Sequence, residues 1–415
     1  MNVNYESLSS KQGLIIKEAR LRNEYKTSEL AKNICAENYL IKIEKGLIVP
    51  TSEIYTNLIK RLKIDVPKNY KDNYLKLFRN ALYSEKLDEF SYQISKLPIL
   101  EYERFILKFI LAVINNENAK VIITLKHIRK FIHLLSPFEL QNIYLFKGLH
   151  NLHLGHYQQA ESDWIKSLEL CKKENIVDPY LYYQLAKQYF RVQSLYYGFY
   201  YLKKATKEFE KLYLLKMFMK CKILFCLETI RQKDYITTKK NLIVIKKILS
   251  IQPDKDVQLW YEFINFSCNT NHKDDDEIRL FYERHISIGC GEYLFNVVLS
   301  YIEEFLSRQK NKDVIKLIDR LNMKQFSEQQ QNLIDFYYYL VKRVPDSELL
   351  IFLKEDAIPL AKKHFDVYAL ELYKNTCIEI FKKMGSYKRI SEMYAEWDQI
   401  STEIKRLGFV SCRLL

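Results

Sequence analysis

The sequence predicts an all-α chain, with a cluster of four short helices at the N-terminus and then a long array of about eight or nine helical hairpins. Three observations carry this. Glycine supplies only 9 and proline only 8 of 415 residues, too few for the many tight turns of an all-β or α/β chain this long. Hydrophobic residues make up 48%, enough to bury a continuous core and to exclude a disordered chain. A pattern of small and aromatic residues also recurs every 38 to 40 residues, the mark of a repeat array rather than one compact core.

The chain divides near KIDVPKNY (63–70), giving an N-terminal domain over 1–65 and a repeat domain over 66–415. In the first, helices are expected at about 11–24, 27–33, 38–45 and 51–62. Thr27 suits an N-cap, with Glu29 in the first turn. Pro50, Thr51 and Glu53 start the fourth helix, and Gly46 ends the third, where a positive φ is often needed. Leu30, Ala31, Ile34, Leu40 and Ile43 form the shared core of the middle two helices, with Ala31 short enough for a steep, close crossing. The pattern S-E-L-A-K-x-I-C-x-x-x-Y-L-x-K-I-E-K-G-x-x-x-P (28–50) resembles the helix-turn-helix of XRE-type repressor regulators.

In the second domain, YLFKGLHNLHLGHYQQAESDWIKS (144–167) shows the repeat most plainly. Gly148 and Ala160 let two helices touch, Gly155 makes the turn, and Tyr157 and Trp164 fill the space between neighbouring hairpins. Ala186, Tyr189, Gly198, Leu202 and Ala205 occupy the equivalent places next, followed by Cys226, Tyr235, Thr238, Leu242 and Ile245. Gly385, Tyr387, Ile390, Tyr394 and Trp397 match again near the C-terminus. The unit resembles a tetratricopeptide (TPR) repeat with slightly extended connections, which implies a right-handed α-solenoid. Residues 70–137 and 256–345 keep the helix-pair rhythm without the small-residue signature.

A helix-turn-helix joined to a TPR array is similar to the Rap, Rgg, NprR, PlcR and PrgX family of Gram-positive bacteria. The I-C turn and Y-L-x-K-I-E register of residues 34–44 are closest to one subgroup of it. The resemblance implies a cytoplasmic quorum-sensing transcription regulator, a homodimer through its repeat domain. It would bind operator DNA and be controlled by a short signalling peptide in the concave groove. A Rap-type scaffold that binds a response regulator is the alternative, and a DNA-binding adaptor without a peptide is a third.

The third helix must then present polar groups to the major groove. Glu37, Asn38 and Tyr39 lie at its start, with Ile41 and Lys42 on the outward face. Asn38 suits adenine, Lys42 guanine or phosphate, and Ile41 a thymine methyl. Arg20 and Lys45 are expected at phosphates. Glu44 is expected to hold the domain together, through Arg20. Glu37 and Ile41 depart from the subgroup, which carries a small polar and a polar residue there, so they bear on target preference. Projecting the repeat phase inward gives Asn142, Tyr183, Lys187, Arg191, Arg231 and Asn375 as peptide-binding candidates. Asn holds both polar groups of an extended backbone, and Lys187 and Arg191, one turn apart, suit a peptide carboxylate.

Other classes find little support. The balance of 65 basic to 51 acidic residues, net +14, favours an acidic partner, but residues 1–65 hold only 11 basic against 8 acidic. The eight cysteines form no C-x-x-C pair and read as inert thiols, with neither a disulfide framework nor a metal site. HKDDDEIR (272–279) reads as the acidic start of a helix rather than a cation site, and His150, His153 and His156 lack a completing carboxylate. No phosphate loop, nucleophile triad or H-E-x-x-H occurs, so no enzyme and no cofactor is expected. MNVNYESLSSKQG (1–13) is no signal peptide, and FILKFILAVI (105–114), broken by Lys108, is too short to span a bilayer.

Overall fold

The computed structural model describes residues 5–64, 74–94, 96, 99–270, 273–364 and 366–410. Residues 65–70 of the expected division, residues 1–4 of the expected non-signal N-terminus, and Cys412 lie outside the described residues. The described regular structure is helical throughout and gathers into two compact units, Met1–Val177 and Asp178–Leu415.

The first unit opens with α1 (Tyr5–Arg22), α2 (Thr27–Ala31), α3 (Glu37–Glu44) and α4 (Ser52–Arg61). Helix α2 begins at Thr27, as expected, but with a different cap residue. Lys26 is the cap position, and its N–H donates to the Glu29 carboxylate at 2.9 Å, so Thr27 is already helical. Thr51 caps α4 by accepting from Ile54 N, and Gly46 ends α3 at φ +70°. Leu30, Ala31, Leu40 and Ile43 are buried together with Ile16, Ala19, Leu58 and Leu62, and Ile34 packs at the edge. Helix α1 crosses α3 at Gly13, where a Cβ would lie 2.1 Å from the Ile43 carbonyl oxygen. Only glycine permits that approach.

The same unit continues with α5 (Tyr74–Tyr83), α6 (Leu87–Gln93), α7 (Glu101–Ile114), α8 (Asn118–Ile128), α9 (Pro137–His153) and α10 (Tyr157–Lys173). Ser136 and Glu139 form a reciprocal capping box at the start of α9. A Cβ on Gly148 would lie 2.4 Å from Trp164 Nε1, and that indole donates to the Leu145 carbonyl at 3.0 Å, so α9 and α10 close on each other as their sequence required. Helix α1 also meets the array: Glu18 lies 3.6 Å from His127 on α8, and Lys17 lies 3.3 Å from His133.

The second unit stacks six more helix pairs. They are α11 (Pro179–Arg191) with α12 (Leu195–Lys211), α13 (Leu215–Arg231) with α14 (Tyr235–Ile251), and α15 (Lys255–Ser267) with α16 (Asp275–Ile288). Then come α17 (Gly291–Ser307) with α18 (Asn311–Arg320), and α19 (Glu328–Lys342) with α20 (Asp346–Phe352), which runs through a π turn into α21 (Ile358–Lys363). The last pair is α22 (Val367–Lys383) with α23 (Tyr387–Val410). With the three pairs of the first unit, the described residues form nine hairpins, within the expected count.

The repeat phase is visible in the turns. Gly155, Gln193, Lys233, Gln309 and Gly385 each sit in the middle of a three-residue hairpin turn with φ between +53° and +75°. The residue after each bonds back to the carbonyl five positions earlier, as His156 N to Asn151 O and Ser194 N to Tyr189 O, both at 2.8 Å. This closes the preceding helix in the Schellman manner. The acidic run behaves as a helix start: Asp274 accepts from Glu277 N at 2.7 Å, and Asp275 pairs with Lys310 and Arg308. The C-terminal repeat differs from the others. Ile390 and Trp397 pack on the core, while Tyr387 and Tyr394 are exposed, because α23 ends the described stack and no further hairpin covers it. No described helix is long and apolar enough to cross a membrane.

Candidate functional site

Two surfaces answer to the expected chemistry, one in each unit. On α3, residues advance by about 100° each, which places Glu37, Ile41, Lys45, Asn38 and Lys42 within an arc of about 140°. Glu37, Asn38, Lys42 and Lys45 are exposed and Ile41 is half-buried within that arc. Leu40, Ile43 and Glu44 occupy the opposite, buried side. Tyr39 lies at the border and packs against the domain core, so it offers only an edge to a ligand. Glu37 is also held from behind, because Thr27 at the start of α2 donates its hydroxyl to the Glu37 carboxylate. That bond ties the first turns of the two helices.

Arg20 does not stand at this surface. Its guanidinium grips Glu44 with two bonds, Nε to Oε1 at 2.6 Å and Nη2 to Oε2 at 2.8 Å, and donates a third to Tyr25 O at 2.9 Å. Only 12% of its side chain is accessible. The expected phosphate contact is therefore corrected: a buried carboxylate needs a partner, and Arg20 is it. The expected tie between Arg20 and Glu44 is the one the structure makes.

In the second unit the first helices of five of the six hairpins, α11, α13, α17, α19 and α22, carry a polar network. Lys187 on α11 pairs with Glu292 on α17 at 3.1 Å. Arg191, also on α11, donates to Gln329 on α19 at 2.7 Å, and Gln329 in turn donates to Asp366 before α22. Glu303 on α17 accepts from Tyr337 at 3.1 Å and from Tyr368. Tyr183 is half-buried on α11; burial, with the charge of Glu292 nearby, keeps its hydroxyl protonated well above the usual tyrosine range. Arg231 is exposed on α13, bonded to Glu228 at 2.6 Å, and its charge reaches Glu292 and Tyr368. Asn375 is exposed on α22, two turns beyond Tyr368 on the same face.

Tyr183, Lys187, Arg191 and Arg231 thus all lie near enough to Glu292 to interact with its charge, and Asn375 lies on α22. Asn142 is not among them. It is fully buried in the first unit, accepting from Arg79 at 3.1 and 2.8 Å and donating to Phe138 O at 2.8 Å and Gln141 Oε1 at 3.0 Å. A side chain with all of its polar atoms bonded inside cannot hold a peptide, and this expectation is corrected. Glu292, Glu303, Gln329, Tyr337 and Tyr368 complete the network and were not singled out from the sequence. They belong to α17, α19 and α22, and the stretch 256–345 lacks the small residues that would have set the repeat phase there.

The thiols take no part. Cys171, Cys221, Cys226 and Cys377 are buried, and burial pushes the Cys221 and Cys226 thiols up to about 12. Such groups are poor nucleophiles near neutral pH.

No family model and no curated protein matches the sequence. Solved structures do match. The apo form of the quorum sensor NprR from B. thuringiensis superposes with a TM-score of 0.54 at 13% identity, over 79% of this chain and 97% of that one. NprR in complex with its cognate peptide NprX superposes with a TM-score of 0.56 at 14% identity, over 77% of this chain and 100% of that one. The chain has the all-α, TPR-like solenoid fold of the NprR quorum sensor.

Proposed function

We propose that the chain is a peptide-responsive transcription regulator, with residues 1–65 as the DNA-binding domain and 66–415 as the sensing and dimerisation domain. The observation that carries this is the arc of exposed Glu37, Asn38, Lys42 and Lys45 around half-buried Ile41, on a helix-turn-helix that leads into an array with a polar groove. Asn38 and Ile41 read base edges, Lys42 and Lys45 meet phosphate or guanine, and the Thr27 bond fixes the angle at which α3 enters the major groove. In the second unit, Tyr183, Lys187, Arg191, Arg231 and Asn375 hold a short peptide. The solved complex of NprR with NprX supports a peptide as the ligand class. The protein acts in the cytoplasm, without catalysis or cofactor.

The dimer belongs to the same reading. The outer face of α14 exposes Ile236, Ile243, Val244 and Ile251 within one stripe, an aliphatic surface suited to a protein partner. A second copy covers it in this reading; a response regulator is the partner in the alternative one. A mass by light scattering equal to one chain removes the dimer. The DNA assignment is tested with Asn38→Ala, Lys42→Ala in the full chain, against genomic fragments selected by the parent. The expected result is a loss of affinity of at least tenfold and a shallower dependence on salt. Full affinity for every fragment overturns it.

A further inference from the structure

The walls of the groove touch each other. Lys187 and Arg191 belong to α11, whereas Glu292 and Gln329 belong to α17 and α19, three and four hairpins further along the chain. First helices of adjacent hairpins lie side by side in an array, so a bond that skips the intervening pairs runs across the concave side.

Glu292 is the centre of this bridge. Its carboxylate lies 3.1 Å from Lys187 Nζ, with Arg191 and Arg231 near enough to act on it. Those three cations, Lys187 foremost, hold the carboxyl below its ordinary range. The Glu292 side chain nevertheless remains 67% accessible, so solvent and solutes reach it. An ammonium in contact with a water-accessible carboxylate, with two guanidinium charges acting on the same group, forms an anion subsite, and here the chain itself fills that subsite.

Building on the peptide-binding reading above, we infer that Glu292 is an internal stand-in for a carboxylate of the ligand. A peptide carboxylate, from an acidic side chain or from the C-terminus, takes Lys187, Arg191 and Arg231 in its place. Ligand binding and the bridge between α11 and α17 are then mutually exclusive, and the acidic group that confers recognition also releases the wall of the groove. A bridge this exposed is weak, which suits a contact that a ligand must displace.

The test uses the full chain and Glu292→Gln, which keeps shape and removes charge. Pools of short random peptides carry a fixed Asp or a fixed Asn, each as the free acid and as the C-terminal amide, and retention is measured by ultrafiltration. The variant is expected to retain carboxylate-bearing peptides about two- to five-fold more tightly than the parent, the range of an exposed ion pair. The Asn amide pool, without a carboxylate at either place, stays unchanged. A gain confined to the Asp arm assigns the side chain, and one confined to the free acids assigns the C-terminus. Retention of the pools with no difference between parent and variant overturns the stand-in while leaving peptide binding in place. No retention of any pool by either protein overturns both.

Discussion

Glu18 is a buried acid at the place where α1 meets the array. Arg22 lies 3.4 Å from its carboxylate and His127 3.6 Å, yet burial dominates and, with Glu101 acting in the same direction, lifts its pKa to about 7. A raised pKa means that the folded state holds the proton more tightly than the unfolded chain. Stability is therefore highest below about pH 4.5 for this group and falls as pH rises toward 7. Burial and Lys130 depress His127, which has the opposite sign and acts as pH falls through the histidine range. Glu18→Gln, which needs no proton, is expected to be more stable than the parent at pH 8 by about 1–3 kcal/mol, with the difference shrinking toward pH 5. Thermal unfolding followed across pH measures this, and an unchanged difference at both ends contradicts it. Residues of this kind also mark the limit of the sequence. Asn142 shares the helical spacing and polarity of a true surface residue, but a buried partner, Arg79, claims it. Pairing across the fold is not written in local spacing.

At the scale of elements, much more was legible. The four N-terminal helices follow from Thr51, Gly46 and the apolar set around Leu40, and the hairpins α9 and α10 follow from Gly148, Gly155 and Trp164. Gly148→Ala is expected to cost about 1–3 kcal/mol, because the added methyl meets the Trp164 indole and the helices must part. A shift in the urea midpoint reads this, and a neutral effect would show that the hairpin closes by other contacts. The turns were harder to see. Gln193, Lys233 and Gln309 take the same left-handed conformation as Gly155 and Gly385 without being glycine. The flanking helices impose the conformation, and a search for turn residues passes over them. Over 256–345 the helix-pair rhythm was visible, but without small residues the inward faces of α17 and α19, whose side chains complete the network, were left unassigned.

For the molecule as a whole, the proposed function assigns DNA reading to Met1–Val177 and ligand binding to Asp178–Leu415. The fold was recoverable because repeats announce themselves by period, whereas the groove was recovered only on one wall. The ligand pathway is a matter of coupling: a peptide changes DNA affinity only through different affinities for two states of the array. In a dimer, half-site spacing follows subunit geometry, which gives such a change a route to the operator. The most direct measurement is the affinity of the full chain for a genomic fragment it selects, with and without the secreted peptide fraction of the producing cells. The same titration is run on Lys187→Ala, Arg191→Ala. The peptide fraction is expected to change DNA affinity about fivefold or more in the parent and to leave the groove variant unmoved. Equal DNA affinity with and without peptides in the parent, or an equal response in the variant, would contradict this.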